Sequence, residues 1–461
     1  MKHICIMSLV VLAGIFSLNA QSKHQPDSLA FLKWSPTPAM GWNSWDCYGP
    51  TVTESEVKAN ADYMATYLKK SGWEYIVVDI RWYVENDKAH GYNEKDAIYV
   101  MDEYGRLQPS PLKFPSSANG KGFKALADYV HNKGLKFGIH IMRGIPVEAV
   151  KKNTLILGSS ARAQDIYSTE LQCPWLKDMY TVVARKEGAQ AYYNSLFILY
   201  ASWGVDFIKI DDLSVPYHQG EIEIIRKAID KTGRKIVLST SPGETPVQNA
   251  EHIMNHANMW RIVGDFWDNW KQLKEHFEVC NRWSPYIGDG HFPDADMLPL
   301  GRIGIRAERG DNRMCALSKD EQLTMMSLFS ICRSPLMFGG NLPDNDEFTL
   351  SLLTNKDVLY INKYSQNNRQ LFRNDDLIAW VADDPKTGDK FLALFNAQDS
   401  VKADANKVSI KIPVNLGQIG ITGQCTITDV WNNRSLGNFI KEFSPDIRRH
   451  ASGLYRITIK K

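Results

Sequence analysis

Several things are scarce in this chain. Its 461 residues include seven cysteines, and no two of them stand in the paired CxxC arrangement that marks a zinc site. Cys5 lies in an N-terminal apolar run. The other six, Cys47, Cys173, Cys280, Cys315, Cys332 and Cys425, are widely spaced, so spacing assigns no disulfide. No glycine-rich phosphate loop opens the first strand–helix unit, which argues against a nucleotide-binding open sheet. Charge of one sign is missing too. The 54 basic and 52 acidic residues leave a formal net charge of +2, and nothing points to a nucleic acid partner. Beyond the first twenty residues no apolar run is long enough for a membrane span. There is no repeat beyond strand–helix units and no low-complexity segment.

What is present begins with a leader. Lys2 and His3 precede an apolar run from Ile4 to Leu18, and Ala20 offers a small residue for cleavage. This pattern predicts a signal peptide over 1–20, a lead-in over 21–35, and a mature protein that is secreted or periplasmic. Apolar residues are 44% of the chain, enough for a large core. Thirteen tryptophans supply flat faces that either fill such a core or stack on sugar rings.

From about Thr37 to Gly340 strand and helix alternate. Gly72 precedes Tyr75-Ile-Val-Val-Asp79, Gly134 precedes Lys136-Phe-Gly-Ile-His140, Gly204 precedes Asp206-Phe-Ile-Lys-Ile-Asp211, and Gly233 precedes Lys235-Ile-Val-Leu-Ser239. Each glycine suits a helix stop, and each short apolar run suits a parallel strand buried on both faces. Thr53 with Glu56 forms a capping box ahead of Val57, Ala61, Met64 and Leu68. Phe123, Leu126, Ala127 and Val130 make a second helical face, and Leu196, Leu199 and Trp203 a third. Further strands are expected at Ala39–Trp45, Met259–Val263, a piece before His291, and Ser330–Ser334. About eight units over 36–350 predict an α/β fold, a closed (β/α)₈ TIM barrel. After a connection over 351–370, the pattern over 371–461 becomes short strands and turns. They include Leu377–Trp380, Phe391–Phe395, Val408–Ile412, Cys425–Thr428 and Tyr455–Ile459, with a turn at Asp384-Pro-Lys-Thr-Gly388. This predicts a C-terminal antiparallel β-sandwich.

The C-terminal ends of barrel strands carry chemistry. Here they bear Trp45 and Asp46, Asp79, His140, Lys209 with Asp211 and Asp212, Ser239 with Ser241, Arg261 with Asp265, and then Asp294 and Asp296. Any one of these has a plain structural explanation: an Asx turn, an ion pair, a satisfied core histidine. Their convergence on one rim is the signal, because burying so many charges is costly unless they pair or serve chemistry. Two carboxylates flanking a bond suit glycoside hydrolysis, one ionised and one holding a proton. By period two Lys209 shares a strand face with Asp211 and favours its ionised form. Asp265 is followed by Phe266, Trp267 and Trp270, where partial desolvation would favour a protonated carboxyl.

These residues resemble glycoside hydrolase family 27, the α-galactosidase and α-N-acetylgalactosaminidase clan. The shared motifs run in order through Pro38-Ala-Met-Gly-Trp-Asn-Ser-Trp45, Val77-Val-Asp79, Gly204-Val-Asp-Phe-Ile-Lys-Ile-Asp211, Trp260-Arg-Ile-Val-Gly-Asp265, Pro293-Asp-Ala-Asp-Met-Leu298 and Ser334-Pro-Leu-Met337. The resemblance implies a barrel followed by an antiparallel β domain and a retaining mechanism without metal or organic cofactor. It makes Asp211 the nucleophile and Asp265 the acid/base. Asp79, Lys209, Arg261 and Asp296 would hydrogen-bond the sugar, with Trp45 as an aromatic wall. Terminal galactose-like sugars on glycans are the implied substrates.

The departures from the family pattern bear on substrate. Family members usually end the second strand with two aspartates, which bind the 4- and 6-hydroxyls; here the pair reads Asp79-Ile80. The usual tyrosine on the third strand is His140. The usual Cys-Glu-Trp or Cys-Ser-Trp loop is Thr240-Ser241-Pro242-Gly243-Glu244, and the cysteine after the nucleophile is missing. An isoleucine accepts no hydrogen bond from a 6-hydroxyl. β-L-Arabinopyranose has the ring stereochemistry of α-D-galactose without the hydroxymethyl group. The first expectation is therefore an exo-α-galactosidase, and the second a β-L-arabinopyranosidase or dual-specificity enzyme. A transglycosylase and a non-catalytic sugar-binding protein are the remaining alternatives.

Overall fold

The computed structural model of the chain describes residues 29–399 and 409–459. The leader expected over 1–20, residues 21–28 of the lead-in, and Val408 at the start of one expected strand lie outside the described residues.

Eight short strands form one parallel sheet. They are β1 Met40–Asn43, β2 Tyr75–Val78, β3 Lys136–Met142, β4 Phe207–Asp211, β5 Val237–Thr240, β6 Met259–Arg261, β7 Phe292–Asp294 and β8 Leu336–Phe338. Neighbours follow the order β7-β6-β5-β4-β3-β2-β1-β8. The sheet closes just past β7, where the Leu298 N–H donates to Met337 O at 2.7 Å and the Gly339 N–H donates to Leu298 O at 3.0 Å. This is the expected (β/α)₈ barrel.

Each strand is followed by a helix: α1 Glu54–Tyr63, α2 Lys124–Asn132, α3 Ala189–Trp203, α4 Gln219–Lys231, α5 Ala250–Met254, α6 Trp270–Trp283, α7 Lys319–Ile331 and α8 Lys356–Tyr364. The Thr53–Glu56 capping box starts α1: the Thr53 N–H donates to Glu56 Oε2 at 2.9 Å. Ser318 and Glu321 build the same device ahead of α7. Gly204 ends α3 with φ of 90°, a left-handed conformation that costs glycine little.

Alternation along the strands sorts the core. Tyr75, Val77, Phe207, Val237 and Met259 fill the barrel interior, while Ile76, Val78, Ile208 and Ile210 pack against the helices. The same period carries Lys209 and Asp211 inward above Phe207.

Three expectations need correction. Ser330–Ser334 is not a strand: α7 runs through Ile331, and β8 begins at Leu336. Every residue of α7 from Thr324 to Ile331 is buried, so this stretch shows no amphipathic period to betray the helix. The strand expected before His291 begins after it, at Phe292. Trp45 does not end β1 but opens a short helix, Trp45–Tyr48.

The C-terminal part is a six-stranded antiparallel sheet. Its strands are β9 Gln366–Asn374, β10 Leu377–Asp383, β11 Lys390–Asn396, β12 Cys425–Asp429, β13 Arg434–Phe439 and β14 Ser452–Ile459, in the order β9-β10-β11-β14-β12-β13. Two small ribbons, Ser409–Lys411 with Asp446–Arg448 and Val414–Asn415 with Glu442–Phe443, make the second layer. Val381, Leu392 and Ile427 pack towards Ile412, Val414 and Phe443. The opposite face, with Trp380, Phe391 and Phe395, joins the barrel core. Thr324 and Ser327 of α7 fasten the joint through His450 O at 2.7 Å and Ser452 Oγ at 3.1 Å.

All six described cysteines are unpaired. No described helix is long and apolar enough to cross a membrane.

Candidate active site

The strand ends surround a cavity of about 450 Å³. It is lined by Trp45, Asp46, Asp79, Ile80, His140, Lys209, Asp211, Arg261, Asp265 and Asp296 together with residues from the loops above. All ten were singled out from sequence and line one space, whereas Asp212, Ser239 and Asp294, also at strand ends, do not. Ser241 stands directly behind it and donates a hydrogen bond to Asp211 Oδ1.

Three buried groups form the floor. His140 Nδ1 contacts Asp79 Oδ1, and His140 Nε2 lies 2.9 Å from Asp211 Oδ2. One imidazole thus bridges two carboxylates. Burial works against the imidazolium, but Asp211 and Asp79 outweigh it and raise the His140 pKa above its ordinary value. Burial also works against ionised Asp211. His140 first and Lys209 second overcome that cost and hold its carboxyl below the usual range. Asp79 is held low by the same two cations, and it accepts the Ile80 N–H at 2.7 Å. Lys209 Nζ pairs with Asp79 Oδ2 at 3.8 Å. The main cationic neighbour of Asp211 is therefore His140 rather than the lysine expected from strand periodicity.

The opposite side is built by Arg261. Its Nη1 lies 2.7 Å from Asp296 Oδ1 and its Nη2 lies 3.2 Å from Asp265 Oδ1. Asp296 also accepts the Phe266 N–H at 2.7 Å, which fixes the turn carrying Asp265. The expected desolvation of Asp265 is not present. Its side chain is 41% exposed and has a second guanidinium, Arg309, at 3.7 Å. Phe266 points into the core while Asp265 points out over the cavity, because the two are adjacent on an irregular turn.

Backbone strain collects at this rim. Arg81, Asp212 and Asp296 all have positive φ, at 63°, 65° and 80°, each one to three residues past the end of a barrel strand. Such conformations persist where surrounding structure over-determines them. Asp212 does not line the cavity. It turns away to Arg143, 2.8 Å distant, which also holds Glu221 at 3.2 Å. Burial pushes its pKa up to about 6. The second aspartate of the Asp211-Asp212 pair is thus a structural anchor.

Two long connections form the upper wall. Residues 79–107, after β2, bring Tyr92 over Trp45, with ring centroids 5.9 Å apart. Residues 143–188, after β3, bring Trp175 to the mouth, 36% exposed. A buried cluster ties them. Arg81 holds Asp178 at 2.9 Å and Asp87 at 2.9 Å, and Tyr83 and Tyr99 donate to Asp178 at 2.8 and 2.6 Å. Sequence reasoning missed Tyr92, Trp175, Glu308 and Arg309. They sit in loops without periodicity, where no local pattern marks them. Pro242 and Gly243 of the loop after β5 also line the cavity. Among the described residues no group of three or more His, Cys, Asp or Glu side chains is arranged to hold a metal ion.

A parallel barrel with a carboxylate-rich pocket at its C-terminal mouth, followed by a β-sandwich, defines a class of glycosidases. The profile described as "Alpha galactosidase A" matches residues 37–149 and 151–364, and that of the "Alpha galactosidase C-terminal beta sandwich domain" matches 374–457. The chain belongs to glycoside hydrolase family 27. It is 50% identical to a crystal structure of a β-L-arabinopyranosidase of that family from Geobacillus stearothermophilus, with a TM-score of 0.90 over 94% of this chain and 98% of that one. It is 26% identical to alpha-galactosidase 2 of Arabidopsis thaliana over 92% of this chain and 90% of that protein. It is also 26% identical to human alpha-galactosidase A over 90% of this chain and 86% of that protein.

Proposed function

We propose that the enzyme is a retaining exo-glycosidase that releases terminal β-L-arabinopyranosyl residues and cleaves α-D-galactosides less well. The observation that carries this reading is Ile80. It is 2% exposed and lines the cavity beside Asp79, where family members usually place a second aspartate. An apolar wall there accepts a pentopyranose and offers nothing to a 6-hydroxyl. The likeness to the Geobacillus arabinopyranosidase supports the same choice. The galactosidase reading is second, favoured by the names of the curated relatives.

In the proposed mechanism Asp211 attacks the anomeric carbon, and the bond to the leaving oxygen breaks as that oxygen takes a proton from Asp265. The ionised state of Asp211 is supported by His140 and Lys209. Asp265 then takes a proton from water, and the resulting nucleophile displaces Asp211 with net retention. Lys209, Asp79, Arg261 and Asp296 hold the ring hydroxyls, and Trp45 stacks on the sugar. Export of the mature enzyme is part of the proposal, on the strength of the leader over 1–20.

The test compares para-nitrophenyl β-L-arabinopyranoside with the α-D-galactoside. A higher kcat/KM for the arabinopyranoside is expected; a clear preference for the galactoside sinks the Ile80 argument. Asp211→Asn should abolish turnover and leave sugar binding intact. Full activity in that variant would remove Asp211 from the chemistry.

A further inference from the structure

Five of the six carboxylates lining the cavity have partners. Asp79 has His140 and the Ile80 N–H, Asp211 has His140 and Ser241, Asp265 and Asp296 share Arg261, and Glu308 holds Arg309 at 2.9 Å. Asp46 is the exception. It is 3% exposed, lines the cavity, and its Oδ2 is buried without a hydrogen-bond partner among the described residues. The fold makes room for this carboxyl. A Cβ on Gly339, at the end of β8, would stand 1.9 Å from Asp46 Oδ2, so glycine is needed there. Oδ2 is shut in against Gly339, which leaves Oδ1, without a hydrogen bond among the described residues, as the oxygen within reach of the cavity, and a buried carboxyl with no partner is costly.

We propose that Asp46 is a further substrate-contacting residue, its carboxyl hydrogen-bonded to a ring hydroxyl of the bound glycone on the side flanked by Trp45 and Asp296. Its chemistry differs from that of its neighbours. Burial, then Asp296, push its pKa well above the ordinary range against the pull of Lys209. A neutral carboxyl carries both an O–H donor and a carbonyl acceptor, whereas ionised carboxylates only accept. A sugar hydroxyl, itself donor and acceptor, is the complementary group. The contact would select for the orientation of one hydroxyl independently of Ile80.

The inference rests on the glycosidase reading above, and the two are tested separately. Wild-type turnover of the two aryl glycosides tests the reading. Asp46 is tested with Asp46→Ala and Asp46→Asn against the arabinopyranoside and its 2-, 3- and 4-deoxy counterparts. Asp46→Ala should lose about 10- to 100-fold in kcat/KM, and Asp46→Asn, which keeps a donor and an acceptor, should recover most of it. The loss should vanish for the one deoxy glycoside that lacks the contacted hydroxyl. An equal loss across the whole series, or none, overturns the proposal. Calorimetric binding of free L-arabinose and D-galactose gives a readout independent of turnover: equal affinity of wild type and both variants overturns it as well.

Discussion

Replacing His140 with phenylalanine removes the cation that joins Asp79 to Asp211 and leaves a ring of similar size. In the native site His140 Nε2 stands 2.9 Å from Asp211 Oδ2, and its other nitrogen contacts Asp79. After the change Asp211 keeps the Ser241 hydroxyl and the more distant charge of Lys209, while burial and Asp79 continue to oppose its charge. A hydrogen bond to a charged group is worth about 1.5–3 kcal/mol, which corresponds to about 10- to 150-fold in rate. The nucleophilic role proposed for Asp211 requires its ionised form, and removing the imidazolium raises its pKa. The acidic limb of the kcat/KM profile therefore moves to higher pH, and activity on that limb falls by roughly that factor. Stability should respond with the same logic. Asp79 and Asp211 have folded pKa values below their unfolded ones, so their contribution is present above a pH of about 4 and is lost as pH falls through the folded values. His140 is raised, so its contribution is present below a pH of about 6.5 and is lost as pH rises through its folded value. His140→Phe should flatten both slopes in melting temperature against pH. An acidic limb that stays where it was would refute the bridging role.

Two further outcomes are expected. Ile80→Asp should move the ratio of kcat/KM towards the galactoside by about 10- to 100-fold, measured on the paired aryl glycosides; an unchanged ratio would show that another group governs the C5 substituent. Asp178→Asn leaves buried Arg81 with Asp87 as its one carboxylate, so the loss stays below the about 3–5 kcal/mol of an orphaned buried charge. The variant should melt several degrees lower and show faster hydrogen exchange in both wall loops, and exchange confined to one loop would count against their coupling.

The barrel was legible because its strands are short apolar runs set off by glycines, and because Lys209 and Asp211 fall on one face by simple alternation. Asp211, Arg261 and Asp296 could be placed at the cavity for the same reason: they sit on or just past strand ends. Legibility failed where periodicity fails. The C-terminal part of α7, from Thr324 to Ile331, is buried all round and reads as a strand near Ser330. Tyr92 and Trp175 reach the cavity from loops whose course depends on Arg81 meeting Asp178, 97 residues away. His140 was visible as a strand-end residue, but its bridging of two carboxylates depends on the spacing between three strands. The exposure of Asp265 could not be read from the aromatic residues beside it, since a turn sends neighbours in opposite directions.

That Arg81–Asp178 cluster has a consequence for anyone who would change what this enzyme accepts. Each upper wall of the pocket holds half of the other's anchor. Grafting the β2 loop of a relative would replace Tyr92 while leaving Asp178 buried without Arg81, Tyr83 and Tyr99, and grafting the β3 loop would leave buried Arg81 with Asp87 as its one carboxylate. The two connections are one heritable unit, and new specificity at this mouth has to be installed on both together.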